Sequence, residues 1–386
     1  MNELPIEQTL YTSDDNDREI KLFKLTDVSP AGLYYPYIQF QKRYSPVRER
    51  VMSLPGITYH RTIESRPMFF FVYNVDNYYH FVYDTLPYLI TYRHLKKTIS
   101  DLKLLINFSD RQHHELNRFV MEFLELLDIF KDDLVFIDHN TIYETVYVSS
   151  SYTHEHNSNL PPRKEIYDLY KELVDKVEEQ PDLPKKIYVS RRSHRHGQYD
   201  NIGTNYTARR KLANEDALVD LLERNGYTEV FTELLTTKQK IAMFKGCTHI
   251  VGAIGGGICN VLFSKPTTKL IAIVSPHFLD INARFHYSLS NVDVKYFHET
   301  KHTESSKFKK YMRVLVEAPA IVGEIKEVDG ESLLILWSQD AIAGWNSNTE
   351  YRSLRVRTDE VKIIDPGLNS EWTMDLKKFE EELING

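Results

Sequence analysis

From Lys185 to Glu299 the chain alternates short apolar runs with longer amphipathic ones, and few folds accept that rhythm. The runs KKIYVSRR (185–192), TEVFTE (228–233), HIVGAIG (249–255), KLIAIVS (269–275) and VDVKYFHE (292–299) have the length and the β-branched or aromatic content of strands. Between them NEDALVDLLERNGY (214–227), TTKQKIAMFKGC (236–247), GGICNVLFSK (256–265) and FLDINARFHYSLS (278–290) read as helices. Asn214 before Glu215 and Asp216, and Thr236 or Thr237, mark helix starts. Strands separated by helices predict a parallel sheet covered on both faces.

A less regular alternation precedes it. PMFFFVYNV (67–75), LKLLINF (102–108), DLVFIDHN (133–140) and TIYETVYVS (141–149) read as strands, while the segments 78–97, 115–130 and 164–180 read as helices. The polar, proline-bounded PDLP (181–184) marks a boundary. After residue 310 the texture turns β-rich and ends in a short helix, MDLKKFEEELI (374–384). The expected fold class is α/β, with two doubly wound domains over 1–180 and 185–300 and a small β-rich appendage over 311–386. Residues 1–66, the least readable part, mix short β-like runs such as EIKLFKL (19–25) and GLYYPYIQF (32–40) with polar turns. In doubly wound sheets, ligands bind at the carboxyl ends of the strands.

Length agrees with two domains, since 386 residues exceed what one core usually organises. A formal net charge of -7 argues against general affinity for nucleic acid or anionic membrane, both of which need a spare positive field. The 25 Tyr and 19 Phe exceed what a disordered chain carries and suit either a core or stacking on sugar rings. Trp337 and Trp345 in the appendage leave the same two alternatives open. Cys247 and Cys259, the two cysteines of the chain, lie in apolar segments and read as small core residues of a protein from a reducing compartment. No signal peptide or integral membrane segment is readable, and a cytoplasmic location is the expectation.

In HIVGAIGGGICNVLF (249–263) a strand meets a helix through Gly255, Gly256 and Gly257. Glycines at such a turn let backbone N–H groups approach an anion, with a helix N-terminus behind them. They also serve simply to let helix and strand pack. Neither the spaced-glycine dinucleotide fingerprint nor the lysine-bearing P-loop is matched. Cations concentrate in the same sheet: Arg191 and Arg192 close one strand, and Arg209 and Arg210 precede the next helix. Guanidinium forks bind phosphate oxygens bidentately, so the group suits a diphosphate, although a solvated basic loop gives the same composition. The long polar loop between them suits a mobile cover. Paired histidines at 113–114, 154 and 156, and 194 and 196 lack partners at metal-site spacing, so no metal site is expected.

Taken together these segments resemble glycosyltransferase family 61, from about residue 68 to 275. The resemblance is carried by YVSRR (188–192), RRKLANE (209–215) with Asn214 and Glu215, Glu233 and Gln239 in TELLTTKQ, GAIGGGICN (252–260) ending in Asn260, and NYYHFVYDTLP (77–87). Family members usually carry His before the glycines, where this chain has Ile254, so any role of that His does not transfer. The resemblance implies a GT-B architecture of two facing Rossmann-like domains, inversion at the anomeric carbon and no metal ion. It also implies a nucleotide-sugar co-substrate, UDP-xylose or UDP-N-acetylglucosamine leading, and a glycan or other hydroxyl acceptor, with no tightly bound cofactor.

An inverting transferase needs a base at the acceptor hydroxyl and stabilisation of the departing diphosphate. His80 and Asp84, four residues apart, share one face of an uninterrupted helix and are the candidate base and its orienting partner. Pro87 lacks an N–H and disturbs that helix near Tyr83. Glu233 is the rival base or a ribose ligand. A structural role for His80 at a domain interface, a non-catalytic nucleotide-sugar or glycan-binding subunit, and a Rossmann oxidoreductase are the competing readings.

Overall fold

A computed structural model describes residues 6–11, 20–28, 62–71, 75–108, 115–138, 140–153, 160–193, 211–276, 283–303, 308, 312–316, 321–337, 352–365 and 371–385. Arg209, Arg210, Trp345 and most of the loop that follows Arg192 lie outside them.

The first sheet is built from β1 (Ile6–Tyr11), β2 (Ile20–Val28), β3 (Thr62–Glu64), β4 (Met68–Phe71), β5 (Lys103–Ile106), β6 (Leu134–Phe136) and β7 (Thr141–Ser149). Its order is β1-β2-β7-β4-β5-β6, with β3 also on β7. The strands β4, β5, β6 and β7 run parallel, whereas β2 pairs antiparallel with β7. All four residues of β4 are buried, as expected of a strand covered on both faces. Alternation along the strands sends Phe69, Phe71, Leu104 and Ile106 into the main core and Met68, Phe70 and Leu105 to the opposite face. The helices α1 (Tyr88–Lys96), α2 (Arg118–Leu126) and α3 (Lys164–Asp175) contribute Leu89, Phe123 and Leu169 to that core.

The second sheet contains β8 (Lys186–Val189), β9 (Thr228–Val230), β10 (His249–Ala253), β11 (Lys269–Ile273) and β12 (Asp293–Phe297), in the order β12-β11-β10-β8-β9. Every pairing is parallel, as the alternation predicts. Between the strands run α4 (Glu215–Arg224), α5 (Thr237–Gly246) and α6 (Ala283–Leu289). Thr236 caps α5: its hydroxyl accepts from Gln239 N–H while the Gln239 side chain accepts from Thr236 N–H. The segment after the glycines differs from expectation, forming a six-residue 3-10 helix, Ile258–Phe263, every residue of which is buried.

Both sheets share one apolar cluster. Phe263 lies against Phe123 of α2 and edge-on to Tyr170 of α3, both at 6.0 Å between ring centroids. Polar ties flank this junction: Lys245 donates to the carbonyls of Val174 and Val177, and Thr237 N–H donates to Glu122 Oε2 at 2.7 Å. The β-rich region divides in two. β13 (Thr300–His302) pairs antiparallel with β19 (Trp372–Met374), and α7 (Leu376–Asn385) places Phe379 edge-on to Phe297 of the second sheet at 5.1 Å. Between them β14 (Arg313–Val316), β15 (Ile321–Asp329), β16 (Ser332–Trp337), β17 (Arg352–Arg357) and β18 (Val361–Asp365) form an antiparallel sheet around Val314, Ile325, Leu333 and Ile335. Trp337 stands outside that core, half-buried, with the Arg352 guanidinium 5.7 Å from its ring. Among the described residues no helix is long and apolar enough to cross a membrane.

Candidate functional site

Strand order reverses between β4 and β7 in the first sheet and between β8 and β10 in the second. Crevices at the carboxyl ends of strands at such points are where open α/β sheets bind ligands. The two strand ends meet: a Cβ built on Gly256, after β10, would lie 3.7 Å from Tyr79 N, after β4.

On the first-sheet side, His80 Nδ1 lies 2.7 Å from Asp84 Oδ2. Asp84 is wholly buried, and its other oxygen accepts from Thr153 Oγ1 at 3.0 Å. Thr153 follows β7, so both strands at the reversal contribute. Arg284 of α6 reaches in from the second sheet, placing its Nη1 3.5 Å from Asp84 Oδ2. A carboxylate can only accept, so Nδ1 carries the proton and Nε2 presents its lone pair, a tautomer assigned from these partners. The side chain of His80 is 30% exposed, which leaves the ring accessible.

The helix expected over 78–97 is divided at the proline. His80–Thr85 is a π-helical turn, closed by Leu86 N–H to Phe81 O at 2.8 Å, and α1 begins after Pro87. Pro87 stands at the helix cap, where its missing donor costs little. Short π-helical segments recur at functional sites, and this one holds the histidine and aspartate together.

On the second-sheet side the glycines have separate tasks. A Cβ on Gly252 would fall 2.4 Å from Ile258 Cγ2, and one on Gly257 would fall 2.7 Å from Val189 Cγ1 and 3.1 Å from Thr232 Oγ1. Those two glycines permit close packing of strand and turn. Gly255 and Gly256 instead border the crevice, with Arg191 Nη1 3.5 Å from the position of a Gly255 Cβ. Because the following helix is one short 3-10 segment, its dipole adds little, and among the described residues Arg191 is the cation beside the turn. Burial lowers the Arg191 pKa, while Glu215, Tyr188 and Glu233 oppose that shift.

The remaining candidates separate into supports and open groups. Glu215 is buried, and its Oε1 accepts from Tyr188 OH at 2.9 Å, Ser190 Oγ at 3.1 Å and Arg191 N–H at 2.6 Å. Desolvation pushes its carboxyl upward, with those hydrogen bonds and the Arg191 charge opposing. Glu215 therefore fixes the turn that presents Arg191. Arg192 is gripped by both oxygens of Glu229, at 2.8 and 2.6 Å, and by Asp216 at 2.8 Å. Three of its five N–H donors are engaged by carboxylates, so it is a poor phosphate ligand. The Asn214 side chain does not cap α4; it bonds the backbone of Met374 at both its nitrogen and its oxygen, tying β19 to the sheet. Asn260 is wholly buried, accepts from Tyr78 OH at 2.6 Å and donates to Gly257 O at 2.8 Å, joining the two sheets.

Glu233 lies in a 3-10 turn, Thr232–Leu234, that Arg118 braces by donating to the carbonyls of Glu233 and Leu235. Its Oε1 is buried and has no hydrogen-bond partner among the described residues. It shares the site with Arg191 and Lys240, both of which feel its charge. Burial pushes the Cys247 thiol up to about 12 and the Cys259 thiol higher, so both stay neutral core residues. Among the described residues no group of three or more His, Cys, Asp or Glu side chains is placed to hold a metal ion.

Sequence reasoning missed Thr153, Arg284 and Lys240. No local pattern marks the first two, which reach the site only through tertiary packing. Lys240 did carry a signal: with Thr237, Ile241 and Phe244 it completes the i, i+3, i+4, i+7 stripe of α5.

The family model described as Glycosyltransferase 61 matches residues 78–271, half of the chain, and its span takes in His80, Asp84, Arg191, Glu233 and the glycine turn. A comparison with curated proteins finds no match.

Proposed function

The chain belongs to glycosyltransferase family 61, and from that premise we propose that it is an inverting transferase moving a sugar from a nucleoside diphosphate to a hydroxyl acceptor. The observation that carries the proposal is the contact of Gly256 with the backbone of Tyr79, the residue before His80, which supports reading the His80–Asp84 pair and the glycine turn with Arg191 as two sides of one site. In this reading the first and second sheets belong to the facing halves of a GT-B arrangement. The donor rests on the β8/β10 side, with UDP-xylose and UDP-N-acetylglucosamine the leading candidates, and the acceptor on the β4/β7 side.

The acceptor oxygen attacks the anomeric carbon from the face opposite the diphosphate, and its proton passes to His80 Nε2. Asp84 holds the ring and stabilises the imidazolium that forms. The bond from the anomeric carbon to the phosphate oxygen breaks, its electron pair leaves with the nucleoside diphosphate, and Arg191 balances the developing charge. Arg209 and Arg210 are proposed as further phosphate ligands. Glu233, whose Oε1 has no hydrogen-bond partner among the described residues, is assigned to accept from a donor hydroxyl. No metal enters these steps.

Ile254, a buried core residue where the family usually carries His, favours a second reading as a non-catalytic nucleotide-sugar-binding subunit. A donor screen separates the two. Purified protein with individual nucleotide sugars and hydroxyl acceptors is expected to release nucleoside diphosphate from at least one donor, equally with and without a chelator. Nucleotide binding with no release from any of them would favour the binding subunit.

A further inference from the structure

Lys240 is 95% buried, 5% of its surface being exposed, on a helix whose Lys238 and Gln239 face solvent. Its ammonium stands 4.1 Å from the centroid of the Tyr78 ring. Desolvating a lysine to this extent is costly, and a core built for stability alone would place an apolar side chain there. What it touches leads to the crevice. Tyr78, packed edge-on against Phe119 at 5.2 Å, donates from its hydroxyl to Asn260 Oδ1, and Asn260 Nδ2 donates to Gly257 O. An unbroken series of contacts thus runs from α5 through the first sheet's Tyr78 to the glycine turn.

We propose that Lys240 is a positioning residue for the donor: its charge holds the Tyr78 ring, and through Tyr78 and Asn260 it fixes the turn on which the diphosphate rests. The inference depends on the donor reading above. A positively charged ion over a desolvated tyrosine face is attracted by the ring quadrupole, and that attraction vanishes when the amine loses its proton.

The groups around the ammonium are Tyr78, Arg118 and Glu122 of α2, Glu233 and Cys259. Desolvation pulls Lys240 down to about 8, with Arg118 adding to the effect and Glu122, Cys259 and Glu233 opposing it. Burial pushes Tyr78 and Cys259 upward, so both stay neutral where Lys240 titrates. Donor affinity should therefore fall as pH rises through that value.

Titration calorimetry with UDP from pH 6.5 to 9.5 tests this on wild type, Lys240→Arg and Lys240→Met, each checked for its fold by circular dichroism. Wild-type affinity is expected to weaken about three- to thirtyfold across pH 8, the range that a cation over an aromatic ring supplies. Lys240→Arg keeps its charge and should show no such limb, while Lys240→Met should bind weakly throughout. Identical profiles for wild type and Lys240→Arg, or wild-type affinity in Lys240→Met at pH 7, would overturn the proposal. A wild type that binds no UDP at any pH removes the donor reading itself.

Discussion

Three buried ionisable side chains around the crevice have different partners. Glu215 is bonded three times through one oxygen, Asp84 is bonded at both oxygens, and Lys240 has an aromatic ring. The last arrangement carries a measurable cost. The folded pKa of Lys240 is about 8 against 10.5 for the unconstrained side chain, so the folded state binds that proton less well. Below pH 8 both states are protonated and the folded protein bears the whole cost; between 8 and 10.5 it releases the proton first and the cost fades. Stability from this group therefore rises with pH across that window, on the order of 3 kcal/mol in all. Lys240→Met, close in volume and uncharged, is expected to melt above the wild type at pH 7, with the gap closing toward pH 10.5. A lower melting temperature at pH 7 would mean that Lys240 stabilises the fold. A residue whose removal strengthens the fold and weakens ligand binding is kept for function.

At the scale of elements, the glycine turn joins two requirements in a few residues. Gly257 is a packing glycine, and Gly257→Ala would set a methyl 2.7 Å from Val189 Cγ1. Overpacking of that kind costs about 1–3 kcal/mol, so the urea midpoint should fall with the slope unchanged. An unchanged midpoint would show that the turn yields freely. Most strands were legible, because β4 and β8 to β12 are apolar runs bounded by polar turns. The 3-10 helix after the glycines was not, since ICNVLF has the composition of any buried segment and only packing against α3, α5 and α6 sets its pitch. Pro87 was read correctly as a disturbance; that it follows a π-helical turn is set by the Leu86 to Phe81 bond, which spacing alone does not reveal. Asn214 was legible as a helix start and Arg192 as the end of a strand. Their partners, Met374 and Glu229, are far along the chain, and no local pattern announces which polar group is already bonded.

For the whole molecule, what matters is that a mixed sheet and a parallel sheet bring their strand-order reversals together over a shared apolar junction. Alternation along the chain predicted the parallel strands of both sheets, but it does not say which helix faces which sheet, so Phe263 between Phe123 and Tyr170 could not be foreseen. Nor could the return of β19 and α7 to the second sheet after the antiparallel strands. The central claim is that this packing places a histidine base opposite a nucleotide site on the other sheet. It is tested most directly by measuring nucleotide affinity and sugar transfer side by side for wild type and His80→Ala. Loss of a general base should lower turnover by about 10²–10⁴-fold while nucleotide affinity stays within a few fold of wild type. A His80→Ala protein that transfers sugar at the wild-type rate would contradict the account.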